Sequence, residues 1–180
     1  IFYGPGLSEY LKCAAALKDG AMVFGYYVKD PQRYGVLEFD NKLKVTGIQE
    51  KPKRPKSNWA VTGIYFYDNK VIEIVKKQKP SQRGELEITD VNSCYLKQGK
   101  LKVKLLSRGY AWLDTGTYDS LIDASVFIKT IEERQGLKIG CIEEVAFRKG
   151  FIGRKELDGL ARSINTGYGQ YLRGILSEEK

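Results

Sequence analysis

The 180-residue sequence contains no histidine. That excludes a histidine general base, a Ser–His–Asp arrangement and a His-ligated zinc. Any metal must then be held by oxygen ligands, which points to magnesium-type chemistry. Cysteine is scarce: Cys13, Cys94 and Cys141 are an odd number at wide spacing and lay out no disulfide framework. Such usage fits a reducing, cytoplasmic setting. No apolar run reaches the roughly 18 residues a membrane span requires, and no secretory leader is visible. Also missing are the glycine-rich segments G-x-x-x-x-G-K-[ST] and G-x-G-x-x-G, and the G-x-S-x-G serine elbow. The chain therefore carries no self-sufficient phosphate loop and no serine nucleophile. It opens at Ile1 rather than at methionine, a beginning that predicts either processing or a piece of a longer protein.

What is present describes a folded chain. Hydrophobic residues make up 42% and charged residues 29%, enough apolar content for a core and too much for disorder. The length suits one domain, or one domain with a small appendage. Thirty basic against 22 acidic residues leave a net charge of +8. Such an excess raises nucleic acid as a partner. The lysines are spread, however, with one cluster at Lys51 to Lys56, and no aromatic–basic stripe accompanies them. A solvated basic surface, or a basic cleft for phosphorylated small molecules, accounts better for the charge. Neither nucleic acid nor a membrane is an expected partner.

Periodicity predicts alternating helices and strands, hence a layered α/β fold. A helix is expected over 7–18, with Leu7, Leu11, Ala14 and Ala15 on one face. Ala21–Val28 lacks clean alternation and reads as a strand buried on both faces. Tyr34–Phe39 and Leu43–Gln49 form a hairpin around Asp40-Asn41-Lys42. Lys51–Ser57 is a loop, and Ala60–Tyr67 a strand rich in β-branched and aromatic residues. A short helix at Val71–Val75 stops before Pro80, and a second runs over 86–97. Strands follow at 101–105 and 110–113. Thr117 can cap a long helix that Gly136 closes. Beyond it, helices at 154–164 and 168–177 make a small helical tail. The division expected is a body over 1–136 and an appendage over 137–180.

Several residues are placed to do chemistry, each with a plainer alternative. Asp114 ends an apolar strand and precedes Gly116. Ligands of α/β sheets bind beyond strand ends, and a carboxylate there can hold Mg²⁺ against a phosphate; a helix-start aspartate explains the pattern equally well. Glu50-Lys51 follows another strand and offers an acceptor for sugar hydroxyls and a cation for a phosphate, or is simply a charged loop entrance. Tyr34-Gly35 can present a ring and bare backbone to a ligand, or pack in a turn. Thr62 and Gly63 interrupt a strand, where glycine marks the close approach of a ligand or a neighbouring element. Glu85 and Glu87 sit at an expected helix start, which favours acidic side chains. Glu143-Glu144, with Arg148 nearby, reads as a solvated or interface patch.

Six stretches in order give these residues a context: RYGVLEFD at 33–40, EKPKRPKSNWAVTGIYFYD at 50–68, RGELEITDVN at 83–92, RGYAWLDTGTYDSL at 108–121, ERQGLKIGCIEE at 133–144 and GYGQYL at 167–172. Together they resemble the glucose-1-phosphate thymidylyltransferases of the sugar nucleotidyltransferase family. The resemblance implies a doubly wound α/β nucleotidyltransferase core, its sugar-binding half lying in 1–136, with a helical tail that serves assembly or regulation. It implies the reversible, Mg²⁺-dependent reaction of glucose 1-phosphate with dTTP to give dTDP-glucose and pyrophosphate, a step towards dTDP-rhamnose. Attack on the α-phosphorus is direct, so catalysis is positioning and charge neutralisation. By position, Asp114 is a metal ligand, Tyr34 and Gly35 line the sugar site, Glu50 meets glucose hydroxyls and Lys51 the sugar phosphate. Val61 and Tyr65 lie beside the sugar, Glu85 is a further contact, and Trp112 shapes the wall. Arg108 and Glu144 fall where the family has a regulatory nucleotide site, and the family forms homotetramers. The family's N-terminal nucleotide loop and base-reading residues have no counterpart here, and the partner metal aspartate is expected just before Ile1. The chain alone is thus expected to bind dTTP poorly and turn over little. Uridylyl-, cytidylyl- and adenylyltransferases, or a non-catalytic sugar-phosphate-binding remnant, are the alternatives.

Overall fold

A computed structural model describes residues 1–178 and separates into two units, Ile1–Trp112 and Leu113 onward. The first unit runs β1 (Phe2–Tyr3), α1 (Leu7–Ala15), β2 (Ala21–Tyr27), a 3₁₀ turn (Pro31–Arg33), β3 (Gly35–Phe39), β4 (Val45–Glu50), β5 (Trp59–Tyr67), α2 (Val71–Lys76), α3 (Ile88–Lys97), β6 (Leu101–Leu105) and β7 (Ala111–Trp112). Five strands form one sheet in the order β4-β3-β5-β2-β6, and β1 pairs with β7 in a second. The β2–β6 pair is parallel; β2–β5, β3–β4 and β3–β5 are antiparallel.

The apolar run of β2 has a direct cause. Side chains alternate across a sheet, and helices cover both faces of this one. Met22 and Phe24 pack with Ala14 of α1, Leu106 and Tyr110 on one side. Ala21 packs with Val91 and Tyr95 of α3, beside Val71 and Ile74 of α2, on the other. Val23 joins Leu37 and Val61 in a third cluster. A strand covered on both faces needs no polar positions.

Strand ends differ from the sequence reading where turn chemistry intervenes. Leu43 belongs to the hairpin turn: its φ is 60° and its side chain is exposed, while Asp40 Oδ1 accepts from the Lys42 and Lys44 N–H groups. Helix α1 stops at Ala15, where Leu17 N–H turns back onto the Ala14 carbonyl. Helix α3 begins at Ile88, because Glu87 is extended at φ −85°, ψ 127°. Gly63 lies where β5 loses register with β2 between Val23 and Gly25, and no atom comes within 4 Å of the Cβ position. A bulge, not a close neighbour, explains that glycine.

The second unit holds α4 (Tyr118–Gln135), α5 (Ile142–Arg148), α6 (Arg154–Ser163) and α7 (Gly167–Glu178). Thr117 caps α4 reciprocally with Ser120, and Gly136 closes it in the left-handed conformation at φ 71°. Helices α6 and α7 bury Leu157, Ala161, Leu172, Ile175 and Leu176 around Cys141. Each helix also receives an arginine from the other: Arg173 donates to the Ala161 carbonyl and Arg154 to that of Leu176. Helix α5 was not expected. Its acidic pair is not a solvated patch, for Glu143 accepts from Tyr168 and Glu144 from Tyr171.

Candidate functional site

Strands β3 and β4 form an antiparallel pair in which Gly35 faces Glu50. The pairing brings the two site segments read from sequence, Tyr34-Gly35 and Glu50-Lys51, to one end of the sheet. The link continues past β4, where Lys51 N–H donates to the Tyr34 carbonyl at 3.0 Å. Lys51 holds φ 40°, a left-handed conformation that costs a non-glycine residue energy and is concentrated at functional sites. Its side chain is exposed.

Behind this strand end lies a polar cluster. The Thr89 hydroxyl, buried at the start of α3, donates to Glu50 Oε2. A Cβ built on Gly35 would stand 2.9 Å from Thr89 Oγ1, 3.3 Å from Glu50 Oε2 and 3.9 Å from Val61 Cβ. Gly35, Glu50, Val61 and Thr89 therefore share one small volume. Tyr65 of β5 borders it: burial first, then the Glu50 carboxylate, pushes its phenol above the usual range. Arg83 stands over the carboxylates, with Nη1 at 3.8 Å from Glu50 Oε1 and 3.6 Å from Glu87 Oε1, and Nη2 at 2.6 Å from Glu85 Oε2. Glu87 is nearly buried and also accepts from Ser81. Glu85 is exposed in the loop before α3, and Arg83 is its partner. Thr89 and Arg83 were not picked out by the sequence reading. The signal available was Thr89's place in RGELEITDVN, one residue inside a helix whose start was set two residues too early.

An aromatic wall adjoins the strand end. The Tyr34 and Trp112 rings meet edge to face at 5.1 Å, and Tyr26 meets Trp112 at 5.9 Å. Arg108 is exposed in the turn before β7.

Asp114 and Glu144 belong to the second unit. The half-exposed Asp114 accepts the Gly116 N–H at 3.4 Å, a distance that leaves most of its acceptor capacity open. One such carboxylate fits magnesium, which keeps several waters and completes its shell with phosphate oxygens. Among the described residues no three His, Cys, Asp or Glu side chains gather into a metal cluster. Both carboxylate oxygens of Glu144 are engaged, one by Arg148 Nε at 2.7 Å and one by Tyr171.

Comparison with known proteins agrees with this architecture. Glucose-1-phosphate thymidylyltransferases from Neisseria meningitidis serogroup A and Mycolicibacterium smegmatis are 51% and 53% identical to the chain, covering 99% of it and 62% of their own length. One from Xanthomonas campestris pv. campestris is 54% identical over 97% of the chain and 60% of its own length. The chain thus spans about three fifths of these relatives. A Bacillus anthracis structure described as a glucose-1-phosphate thymidylyltransferase, in complex with sucrose, superposes with a TM-score of 0.62 at 46% identity, covering 71% of this chain and 50% of that one. A UDP-glucose pyrophosphorylase complexed with UDP-glucose superposes with a TM-score of 0.59 at 22% identity, covering 69% and 49%, and shares the fold. The profile described as Nucleotidyl transferase matches residues 1–131. That span contains every strand of both sheets and the whole Glu50 cluster, and the chain belongs to the nucleotidyl transferase family.

Proposed function

We propose that the protein is a glucose-1-phosphate thymidylyltransferase, converting glucose 1-phosphate and dTTP into dTDP-glucose and pyrophosphate. The observation that carries this reading is the cluster at the β3–β4 end. It offers a half-buried carboxylate, bare backbone at Gly35, a cation at Lys51 and an aromatic wall at Tyr34 and Trp112. Those are the groups a sugar phosphate needs. The names of the relatives at 51–54% identity support dTTP over UTP, CTP or ATP.

Each residue then has a task. Glu50 accepts from sugar hydroxyls, and Lys51 faces the phosphate. Val61 and Tyr65 pack beside the ring, Tyr34, Gly35 and Trp112 close the wall, and Glu85 is a further contact to the sugar. A phosphate oxygen of the sugar attacks the α-phosphorus, and the bond to pyrophosphate breaks with its electrons leaving on pyrophosphate. No covalent enzyme intermediate is required, which matches a chain with no histidine and no serine elbow. Catalysis is positioning and electrostatic stabilisation. Asp114 would hold magnesium, which supplies neutralisation of phosphate charge when bound. Arg108 and Glu144 are each candidates for regulatory nucleotide contacts by their resemblance to the family. The reading extends to a homotetramer working in the cytoplasm, with a product destined for dTDP-rhamnose and cell-wall polysaccharide. The three free cysteines support that compartment, and among the described residues no helix is long and apolar enough to cross a membrane.

The test is Mg²⁺-dependent pyrophosphate release, with glucose 1-phosphate and each nucleoside triphosphate in turn, by the chain joined to the N-terminal nucleotide-binding part of its relatives, since the 180-residue chain alone is expected to turn over little. Release is expected to be fastest with dTTP, and Asp114→Asn to lower it by about a hundredfold or more. Binding of glucose 1-phosphate without release from any triphosphate would replace this reading with a non-catalytic sugar-phosphate-binding module.

A further inference from the structure

The Glu50 carboxylate is held from one side. Thr89, 4% exposed at the start of α3, gives its hydroxyl proton to Oε2. Among the described residues, Oε1 is approached by Arg83 Nη1 at 3.8 Å, beyond hydrogen-bond reach. One oxygen is therefore fixed by a buried neutral donor, and the other is left to receive a hydroxyl.

Gly35 has a part in this arrangement. Any side chain at 35 would place a Cβ 2.9 Å from Thr89 Oγ1 and 3.3 Å from Glu50 Oε2, on top of the hydrogen bond itself. Contacts that short are not tolerated, so either the hydroxyl or the carboxylate would be displaced. The bond joins residues 39 apart in sequence, across β4 and α3. Segment 78–87 ties that helix start down: Gln78 donates to the Glu87 carbonyl, Ser81 to the Glu87 carboxylate, and Arg83 reaches Glu85 and Glu87. Thr89 thus sits on a braced element, the condition for holding a ligand group in one orientation.

We propose that Thr89 is the positioning residue of the sugar site, orienting Glu50 through a space that only glycine at 35 leaves open, so that one carboxylate oxygen is presented to a sugar hydroxyl. The proposal rests on the sugar-site reading of Glu50. Thr89 acts through Glu50, and its removal penalises only those ligands that use the carboxylate.

The experiment is calorimetric binding of glucose 1-phosphate and of the monodeoxy glucose 1-phosphates to wild type, Thr89→Val, Thr89→Ser, Gly35→Ala and the Gly35→Ala/Thr89→Val pair. Thermal unfolding of each confirms that it is folded at the binding temperature. Thr89→Val is expected to weaken glucose 1-phosphate by about tenfold, the ordinary worth of a hydrogen bond to a charged group, and Thr89→Ser to restore it. Gly35→Ala should show a similar loss, and the pair little more than either alone, as coupled neighbours do. For the one deoxy sugar lacking the hydroxyl that Glu50 receives, wild type and Thr89→Val should converge. Equal losses for every sugar would mean a structural role only and would overturn the proposal, as would wild-type binding by a well-folded Thr89→Val. Failure of the wild type itself to bind glucose 1-phosphate would overturn the sugar-site reading, and this proposal with it.

Discussion

Among the described residues two non-glycine residues adopt positive φ, and they do so for different reasons. Leu43, at φ 60° and 77% exposed, ends the β3–β4 hairpin turn. It buries little there, so nothing in packing offsets the left-handed conformation, which costs about 1–2 kcal/mol. Leu43→Gly is therefore expected to stabilise by about 0.5–1 kcal/mol, once the extra freedom glycine gives the unfolded chain is subtracted. Chemical denaturation reads this directly, and an unchanged or lowered midpoint would show that the leucine's contacts outweigh its strain. Lys51, at φ 40°, instead follows Glu50, and its N–H is bound to the Tyr34 carbonyl. Its strain sits where the proposed site needs an ammonium. Both residues looked ordinary in the sequence, because neither position is itself a glycine or an asparagine. Their conformations are set by the register of β3 with β4, in which Gly35 meets Glu50 and the ladder slips between Glu38 and Phe39.

At the scale of elements, helices with local signals were legible. The Thr117 cap and Gly136 terminator bound α4 as expected, because a capping hydroxyl and a left-handed glycine act within a few residues. The start of α3 was misplaced because Glu85 and Glu87 resemble a first turn, whereas their carboxylates serve Arg83 and Ser81. Helix α5 was missed because its pattern is short and its carboxylates reach tyrosines of α7. Elements of the first unit are also clasped at one end of the sheet. Asp19 pairs with Lys70 and Lys100 at 2.8 and 2.7 Å, and Asp68 accepts from the Gly20 N–H and the Tyr95 hydroxyl. Lys100 first, and Lys70 after it, hold the Asp19 carboxyl far below the usual range; the Gly20 N–H and then Tyr95 lower Asp68. A carboxyl depressed in the folded state adds stability above its unfolded pKa of about 4, and that stability is lost as pH falls towards the folded value. Thermal midpoints should therefore drop as pH is lowered through this window, and Asp19→Asn should flatten the decline. Parallel curves for variant and wild type would show that the clasp contributes nothing to acid sensitivity.

At the scale of the whole molecule, the exposed apolar surface is the unexplained quantity. Along α4 only Ala124 is buried, while Tyr118, Leu121, Ile122 and Val126 are 90%, 50%, 61% and 56% exposed. Contiguous apolar area of this kind marks interaction surfaces in soluble proteins. The proposed homotetramer predicts that sedimentation of the purified protein reports a mass of four chains. A strictly monomeric species at micromolar concentration would remove the tetramer from the functional reading.

The sequence by itself determined the alternation of helices and strands, the double burial of β2, the cap and terminator of α4, and the segments Tyr34-Gly35 and Glu50-Lys51 as site candidates. Each of these depends on residue type and on spacing within one element, and such information is local. Only the tertiary structure decided which residues stand around these candidate segments. It brought Thr89 to Glu50 over 39 residues, turned Arg83 towards three carboxylates, and set Trp112 against Tyr34. It also gave Gly35 a different reason for being glycine, the clearance of the Thr89–Glu50 hydrogen bond. Sheet order and helix docking govern those distances, and neither leaves a periodic trace in the chain.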